Sequence, residues 1–424
     1  MADKKDYHCS FCGKHKNEIS TLIAGPSTFI CNECIDLCHS IVYERKNVTK
    51  KSKTVNSDIP TPDEINEFLN AHVIGQGEAK EVLSVAVYNH YKRINQSEDD
   101  DVELEKSNVM MLGPSGTGKT LLAKTIAKFL DVPFAQVDAT TLTESGYVGE
   151  DVENVIQRLL MNADFEIKKA EQGIIYIDEI DKKAKKGESI SITKDVSGEG
   201  VQQALLKIVE GTVVRVPPGG GRKHPGADML EVNTDNILFI VGGAFVGLDK
   251  VIKRRLNSNG SIGFGARVMA QDSSDDMTVS QEVLPEDVIK YGIIPEFMGR
   301  FPILVGIDDL TERELSRILT EPKNNLTAQF KKIFKLDGVD LNFTEDAITE
   351  ISKIAKKNKT GARGLRSVLE KSLLKLQFKL PKLSKNAGLT SVEITGDFIN
   401  KNADPILVFK DETEENININ EKKL

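Results

Sequence analysis

Three short apolar runs, Val109-Met110-Met111-Leu112, Ile174-Ile175-Tyr176-Ile177 and Ile237-Leu238-Phe239-Ile240-Val241, alternate with stretches whose apolar residues recur at helix spacing. Continuous apolar runs of this length fit strands buried on both faces, and the amphipathic stretches fit the helices that cover them. The pattern predicts an α/β domain built on a parallel sheet. Upstream of it, from Pro62, the residues Ile65 and Leu69, then Val82, Val85 and Ala86, keep the helical period. The acidic run 98–101, with Glu103 and Glu105, interrupts that period and reads as a solvated loop.

After Leu310 the pattern becomes helical and Lys-rich. Thr344, ahead of Ala347, Ile348, Ile351 and Ile354, marks one helix start and Thr360 another. Polar, Gly-rich insertions at 182–200, 217–228 and 257–276 read as surface loops. The expected organisation is a Cys-rich unit over 1–46, a polar linker over 47–60, a large α/β domain over 61–307, a small, mainly helical domain over 308–406 and a polar tail over 407–424.

Composition narrows the class. With 39% hydrophobic and 28% charged residues in 424, the chain is globular in character, and no segment reaches the roughly 18 apolar residues of a membrane helix, the longest being 237–248. The start Met1-Ala2-Asp3-Lys4-Lys5-Asp6 has neither an apolar core for secretion nor an Arg-rich import character, so the expectation is a cytoplasmic protein that does not enter a membrane. Net charge is −8, with 64 acidic against 56 basic residues, which argues against a general nucleic-acid-binding coat.

All five cysteines fall within the first 38 residues, and Cys9-x2-Cys12 followed by Cys31-x2-Cys34 has the spacing of a four-thiolate zinc site. Each pair can turn both sulfurs toward one ion. Four thiolates fill a tetrahedral shell and leave no position for substrate, so the expected Zn2+ is structural. A unit this short buries little apolar surface, and the metal must carry much of its folding. Cys38, His8, His15 and His39 are further donors nearby, but the regular spacing favours the four cysteines.

Behind the first strand, Gly113-Pro114-Ser115-Gly116-Thr117-Gly118-Lys119-Thr120 opens a helical run to Leu130. A phosphate loop needs this context: glycines turn backbone N–H groups around a phosphate, and the helix adds the positive end of its dipole. Lys119 is expected to face the β and γ phosphates and Thr120 to ligate Mg2+. The second strand ends in Asp178-Glu179, at the edge where α/β sheets bind ligands. Asp178 can hold Mg2+ through water and Glu179 can orient and deprotonate the attacking water, so the site chemistry implies hydrolysis of a nucleoside triphosphate.

Together these residues resemble the AAA+ ATPases. The match sharpens at Gly146-Tyr147-Val148-Gly149-Glu150-Asp151, Arg222-Lys223-His224-Pro225, Ile262-Gly263-Phe264 and Gly361-Ala362-Arg363-Gly364-Leu365-Arg366. With the four-Cys finger, the chain resembles the unfoldase subunits of the Clp protease from Cys9 to about residue 406.

The resemblance implies an AAA+ domain with a parallel sheet, a small helical domain and a zinc finger. It implies a homohexameric ring that uses ATP to unfold tagged or unfolded proteins, takes adaptors at the zinc domain and delivers polypeptide to a peptidase ring. By the same resemblance, Tyr147 and Val148 grip substrate in the pore, while Arg222, Lys223 and His224 stand at its entrance. Ile262, Gly263 and Phe264 dock on the peptidase. Arg363 reaches ATP from the small domain, Arg300 contacts the neighbouring subunit's γ-phosphate, and Val73 and Ile74 hold the adenine ring. On the residues alone, these positions also fit a loop tyrosine, a solvated basic loop, surface arginines, a loop phenylalanine folded onto its own domain, and core aliphatics. The strand 237–241 runs into Gly242-Gly243-Ala244-Phe245 without the polar residue with which many AAA+ proteins sense the γ-phosphate, and no residue is assigned that role.

The cysteines are committed to metal and no Ser/His/Asp or Cys/His signature stands out, so peptide hydrolysis is left to a partner. Two other classes fit an ATP site: a nucleic-acid remodelling motor, disfavoured by the acidic balance, and a non-motor switch that binds ATP and recruits partners.

Overall fold

The computed structural model describes residues 8–16, 19–25, 28–35, 38, 59–96, 102, 104–143, 150–185, 198–217, 229–258, 283–322, 324–410 and 412–415. The chain divides into two compact units, Met1–Ile59 and Pro60–Leu424.

In the first unit the strands Leu22–Ala24 and Phe29–Cys31 pair antiparallel. Among the described residues its core is small: Cys9, Cys31 and Cys34 are buried, with Ile19, Leu22 and Ile30 packed against them. So little apolar area cannot hold a fold by itself.

The second unit begins with two helices. Pro62–His72 is started by a capping box, in which Thr61 accepts from the Glu64 amide and Glu64 accepts from the Thr61 amide. Gly77–Ile94 follows it. The five-stranded sheet then runs in the order Ile303–Gly306, Val109–Leu112, Leu238–Gly243, Ile174–Asp178, Phe134–Asp138, all parallel. The expected α/β fold is therefore present, and the three apolar runs are its three central strands. Val109, Met110, Met111 and Leu112 are all fully buried, as are residues 174–177 and 238–241, because helices cover both faces. A parallel sheet gathers its strand ends at one edge, so Gly113, Asp178, Gly243 and Gly306 meet there.

A separate core, running from Leu310 to Leu407, is formed by the helices Glu312–Thr320, Leu326–Leu336, Glu345–Lys357 and Gly361–Ala387. The helix starts at Thr344 and Thr360 are where the sequence put them, as N-caps of the last two. The mainly helical expectation missed a four-stranded sheet, Asp340–Phe343, Leu389–Ile394, Ile406–Phe409 and Glu412–Glu415. The stretch expected to be a polar tail from 407 is corrected accordingly. Leu407 is buried in a strand, and Glu412–Glu415 pairs with that strand although three of its four residues are acidic. Among the described residues, no helix is long and apolar enough to cross a membrane.

Candidate nucleotide site and metal centre

The phosphate loop is built by constraint. Gly118 takes φ 104 as the N-cap of Lys119–Leu130, a twelve-residue helix whose N-terminal amides point into the loop. Gly116 takes φ 80, and a Cβ there would lie 2.8 Å from the Thr360 carbonyl, so only glycine lets the small helical region approach. That region does approach: the Ala362 amide donates to the Gly116 carbonyl at 3.0 Å, and Arg363 Nη1 lies 3.5 Å from Ser115 Oγ. Within the loop, the Thr117 hydroxyl donates to the Pro114 carbonyl at 2.8 Å.

Lys119 is 7% exposed and its ammonium donates to the carbonyls of Gly113 and Pro114 at 2.6 and 2.7 Å. Burial lowers its pKa. The Asp178 and Asp181 carboxylates oppose that shift, and the Arg363 charge adds to it. A cation desolvated among carbonyls is poised for an anion that would repay its lost hydration.

Asp178 is held by three donors. The Thr120 hydroxyl reaches Oδ2 at 3.0 Å, while the Tyr176 hydroxyl and the Glu179 amide reach Oδ1 at 3.1 and 3.0 Å. Tyr176 stands two residues before Asp178 on the same strand and so on the same face. Burial, the largest cause, and the Asp178 charge raise its pKa, so it remains a donor. Gly242 on the next strand leaves room for it, since a Cβ there would overlap the Tyr176 hydroxyl. Glu179 is exposed and left-handed, φ 57 and ψ 33, a conformation that costs energy outside glycine.

The donor set fits a magnesium nucleotide: a buried cation, a helix N-terminus, and a hydroxyl and carboxylate already in contact. Val73 and Ile74 are buried, with Val73 Cγ1 3.9 Å from where a Cβ of Gly118 would stand. Beside them a cleft of about 230 Å³ is lined by Gln76, Gly77, Glu78, Ala79, Gly306, Asp308, Asp309 and Glu314. A second, of about 720 Å³, opens past Glu179 between Thr140, Asp181, Lys182 and Tyr291. Neither is lined by the phosphate loop itself, and the hydrogen-bond geometry rather than cleft size marks the site.

Arg300 lies outside this cluster, paired with Glu210 at 2.8 Å. Tyr147, Val148, Arg222, Lys223, His224, Ile262, Gly263 and Phe264 fall outside the described residues. Sequence reasoning missed Tyr176, for which the two-residue spacing to Asp178 was a usable signal. It also missed Gln76, whose side chain donates to the Asp308 carbonyl at 2.8 Å and accepts from the Asp308 amide at 3.0 Å. No local pattern links positions 232 residues apart.

In the other unit the sulfurs of Cys9, Cys12, Cys31 and Cys34 lie within 4.8 Å of one another. Cys9–Cys34 and Cys12–Cys31 are 3.9 and 3.7 Å apart. Tetrahedral zinc with bonds of about 2.3 Å requires edges of about 3.8 Å, so the four fit the ion. The Cys31 amide donates to Cys9 Sγ at 3.3 Å and the Cys34 amide to Cys31 Sγ at 3.4 Å, stabilising thiolates. His8 and His15 instead meet each other edge to face, with ring centroids 5.0 Å apart.

Comparison with known proteins agrees with this arrangement. A family model for the ClpX C4-type zinc finger matches residues 7–44, one for the AAA domain (Cdc48 subfamily) matches 104–304, and one for the C-terminal, D2-small domain, of ClpB protein matches 310–381. A curated protein of Treponema denticola, the ATP-dependent Clp protease ATP-binding subunit ClpX, is 55% identical over 377 residues, 88% of this chain and 90% of that protein.

Proposed function

Since the chain belongs to the ClpX family of Clp protease ATP-binding subunits and is an AAA+ ATPase with a C4 zinc finger, we propose that it is a cytoplasmic protein unfoldase. It forms a homohexamer, draws tagged or unfolded proteins through the central pore and hands them to the ClpP peptidase ring. The proposed organisation is a zinc domain over 1–46, a linker over 47–60, a large domain over 61–307 and a small domain from 308.

The observation that carries the ATPase chemistry is the three-donor hold on Asp178 beside a free Glu179. Lys119 and the helix N-terminus take the phosphates, and Val73 and Ile74 take the adenine. Thr120 and Asp178 would hold Mg2+, which when bound neutralises phosphate charge. Glu179 orients the attacking water and accepts its proton, and fixing Asp178 keeps the two carboxylates in separate roles. Arg363 senses the nucleotide from the small domain through the contact of Ala362 with Gly116, which supports coupling of ATP state to domain movement. Arg300 acts in trans on the neighbouring subunit's γ-phosphate.

Force reaches the substrate through Tyr147 and Val148, whose flanking glycines let an apolar surface grip any sequence. Arg222, Lys223 and His224 attract chain ends at the pore entrance. Ile262, Gly263 and Phe264 dock on ClpP, since an apolar tip in a polar loop needs a partner's pocket. Cys9, Cys12, Cys31 and Cys34 hold Zn2+ and shape the domain that takes adaptors. The test is the ATPase rate with added unfolded protein or single-stranded DNA at two salt concentrations. Stimulation by protein alone is expected, whereas stimulation by DNA alone would indicate a nucleic-acid motor and no response to either a switch.

A further inference from the structure

Arg300 is the C-cap of the short helix Pro295–Gly299 and its side chain is about half exposed. Unlike most surface arginines, it is fixed at both ends. Its carbonyl accepts from Asn108 Nδ2 at 3.0 Å, and the buried Asn108 also accepts from the Phe239 amide at 3.2 Å, tying Arg300 to a central strand. Phe297 and Phe301, both fully buried, stack on either side of it in sequence with centroids 4.8 Å apart.

The guanidinium is fixed by Glu210. Nε donates to Glu210 Oε1 at 3.0 Å and Nη2 lies 2.8 Å from the same oxygen. Glu210 ends the helix Glu199–Glu210, so its backbone is anchored as well. One edge of the fork is thereby occupied, and the opposite edge, Nη1 with the outer hydrogen of Nη2, faces away from Glu210. A half-exposed pair of this kind contributes little to stability, so its effect lies in orientation.

We propose that Glu210 is a positioning residue for hydrolysis in the adjacent subunit, holding the Arg300 guanidinium by one edge so that the other is presented to the phosphate there. This rests on the reading of Arg300 as a finger acting in trans. A displacement of about 1 Å at a catalytic group can cost up to about 100-fold in rate, which is the scale an unanchored side chain risks.

The experiment measures ATP hydrolysis and nucleotide binding by the full chain carrying Glu210→Ala, Glu210→Gln or Arg300→Ala. Glu210→Ala is expected to lower kcat by about 10-fold or more with ATP affinity unchanged, as for a group acting only in the transition state. Glu210→Gln keeps an oxygen acceptor in place and should retain most of the rate. Mixed with Glu179→Gln subunits, which offer an anchored finger, Glu210→Ala subunits should regain hydrolysis because their own sites are intact. A wild-type or faster rate for Glu210→Ala, a Gln variant as slow as Ala, or no regain on mixing would each overturn the inference. Arg300→Ala separates the two levels: if it hydrolyses ATP normally, the finger reading falls and this inference with it. If it is inactive while Glu210→Ala is normal, only the inference about Glu210 falls.

Discussion

The Thr120 hydroxyl donates to Asp178 Oδ2 at 3.0 Å, joining the end of the phosphate loop to the end of a strand 58 residues later. Both groups are where a magnesium nucleotide would be held, so removing the hydroxyl costs a ligand and leaves Asp178 with two donors. Thr120→Val should raise the Mg2+ concentration needed for half-maximal hydrolysis by about 10-fold or more, on the scale of losing a group that orients a metal ligand. A Mg2+ titration of the ATPase rate checks it, and a curve superimposed on wild type would count against the assignment.

Glu179 has a different part: its left-handed backbone amide donates to Asp178 while its side chain is exposed. Glu179→Gln keeps the size and removes the base. Nucleotide should still bind while turnover falls by about 100-fold or more. Undiminished turnover would remove Glu179 from the chemistry.

The first unit makes a separable prediction. Among the described residues, three of its four candidate ligand cysteines form the buried core, so losing Zn2+ removes both the metal and what that core packs around. Cys31→Ser should abolish zinc retention and unfold the finger, and ATP hydrolysis should stay near the wild-type rate because every nucleotide-site residue lies in the other unit. Bound zinc and ATPase are measured on one preparation. Loss of both together would make the finger part of the motor.

Stability should carry a pH signature from His90, which is 2% exposed and donates through Nε2 to the Asn236 carbonyl at 3.1 Å. Burial, with the Arg93 and Lys106 charges close by, lowers its pKa to about 3. The unfolded chain, with a His pKa near ~6.5, binds a proton that the fold excludes. This part of the stability is complete above that value and is lost as pH falls from it toward about 3. Chemical denaturation at pH ~7.5 and ~5.5 should show wild type losing about 1.4 kcal/mol more than His90→Gln. Parallel losses in the two proteins would contradict it.

How much was legible depended on the range of the interactions. The sheet strands were visible because burial on both faces demands unbroken apolar runs, and the starts at Thr344 and Thr360 because they precede clear helical periods. Gly113 to Thr120, Asp178 and the four cysteines could be read because phosphate and zinc impose local spacing. The sheet of the small region was missed because its strands are short and only partly buried, as in the pattern of Asp340–Phe343, and because three of the four residues of Glu412–Glu415 are acidic. Gln76 on Asp308 and Glu210 on Arg300 are pairings between distant segments, and only the folded chain brings them together.

A stably folded protein bearing an unstructured tag, and fluorescent only while folded, tests the unfoldase claim most directly. Its fluorescence should fall when this chain, Mg2+ and ATP are all present, and should persist when ATP is omitted or Glu179→Gln is used. Fluorescence that stays constant while the wild-type chain consumes ATP would contradict the account.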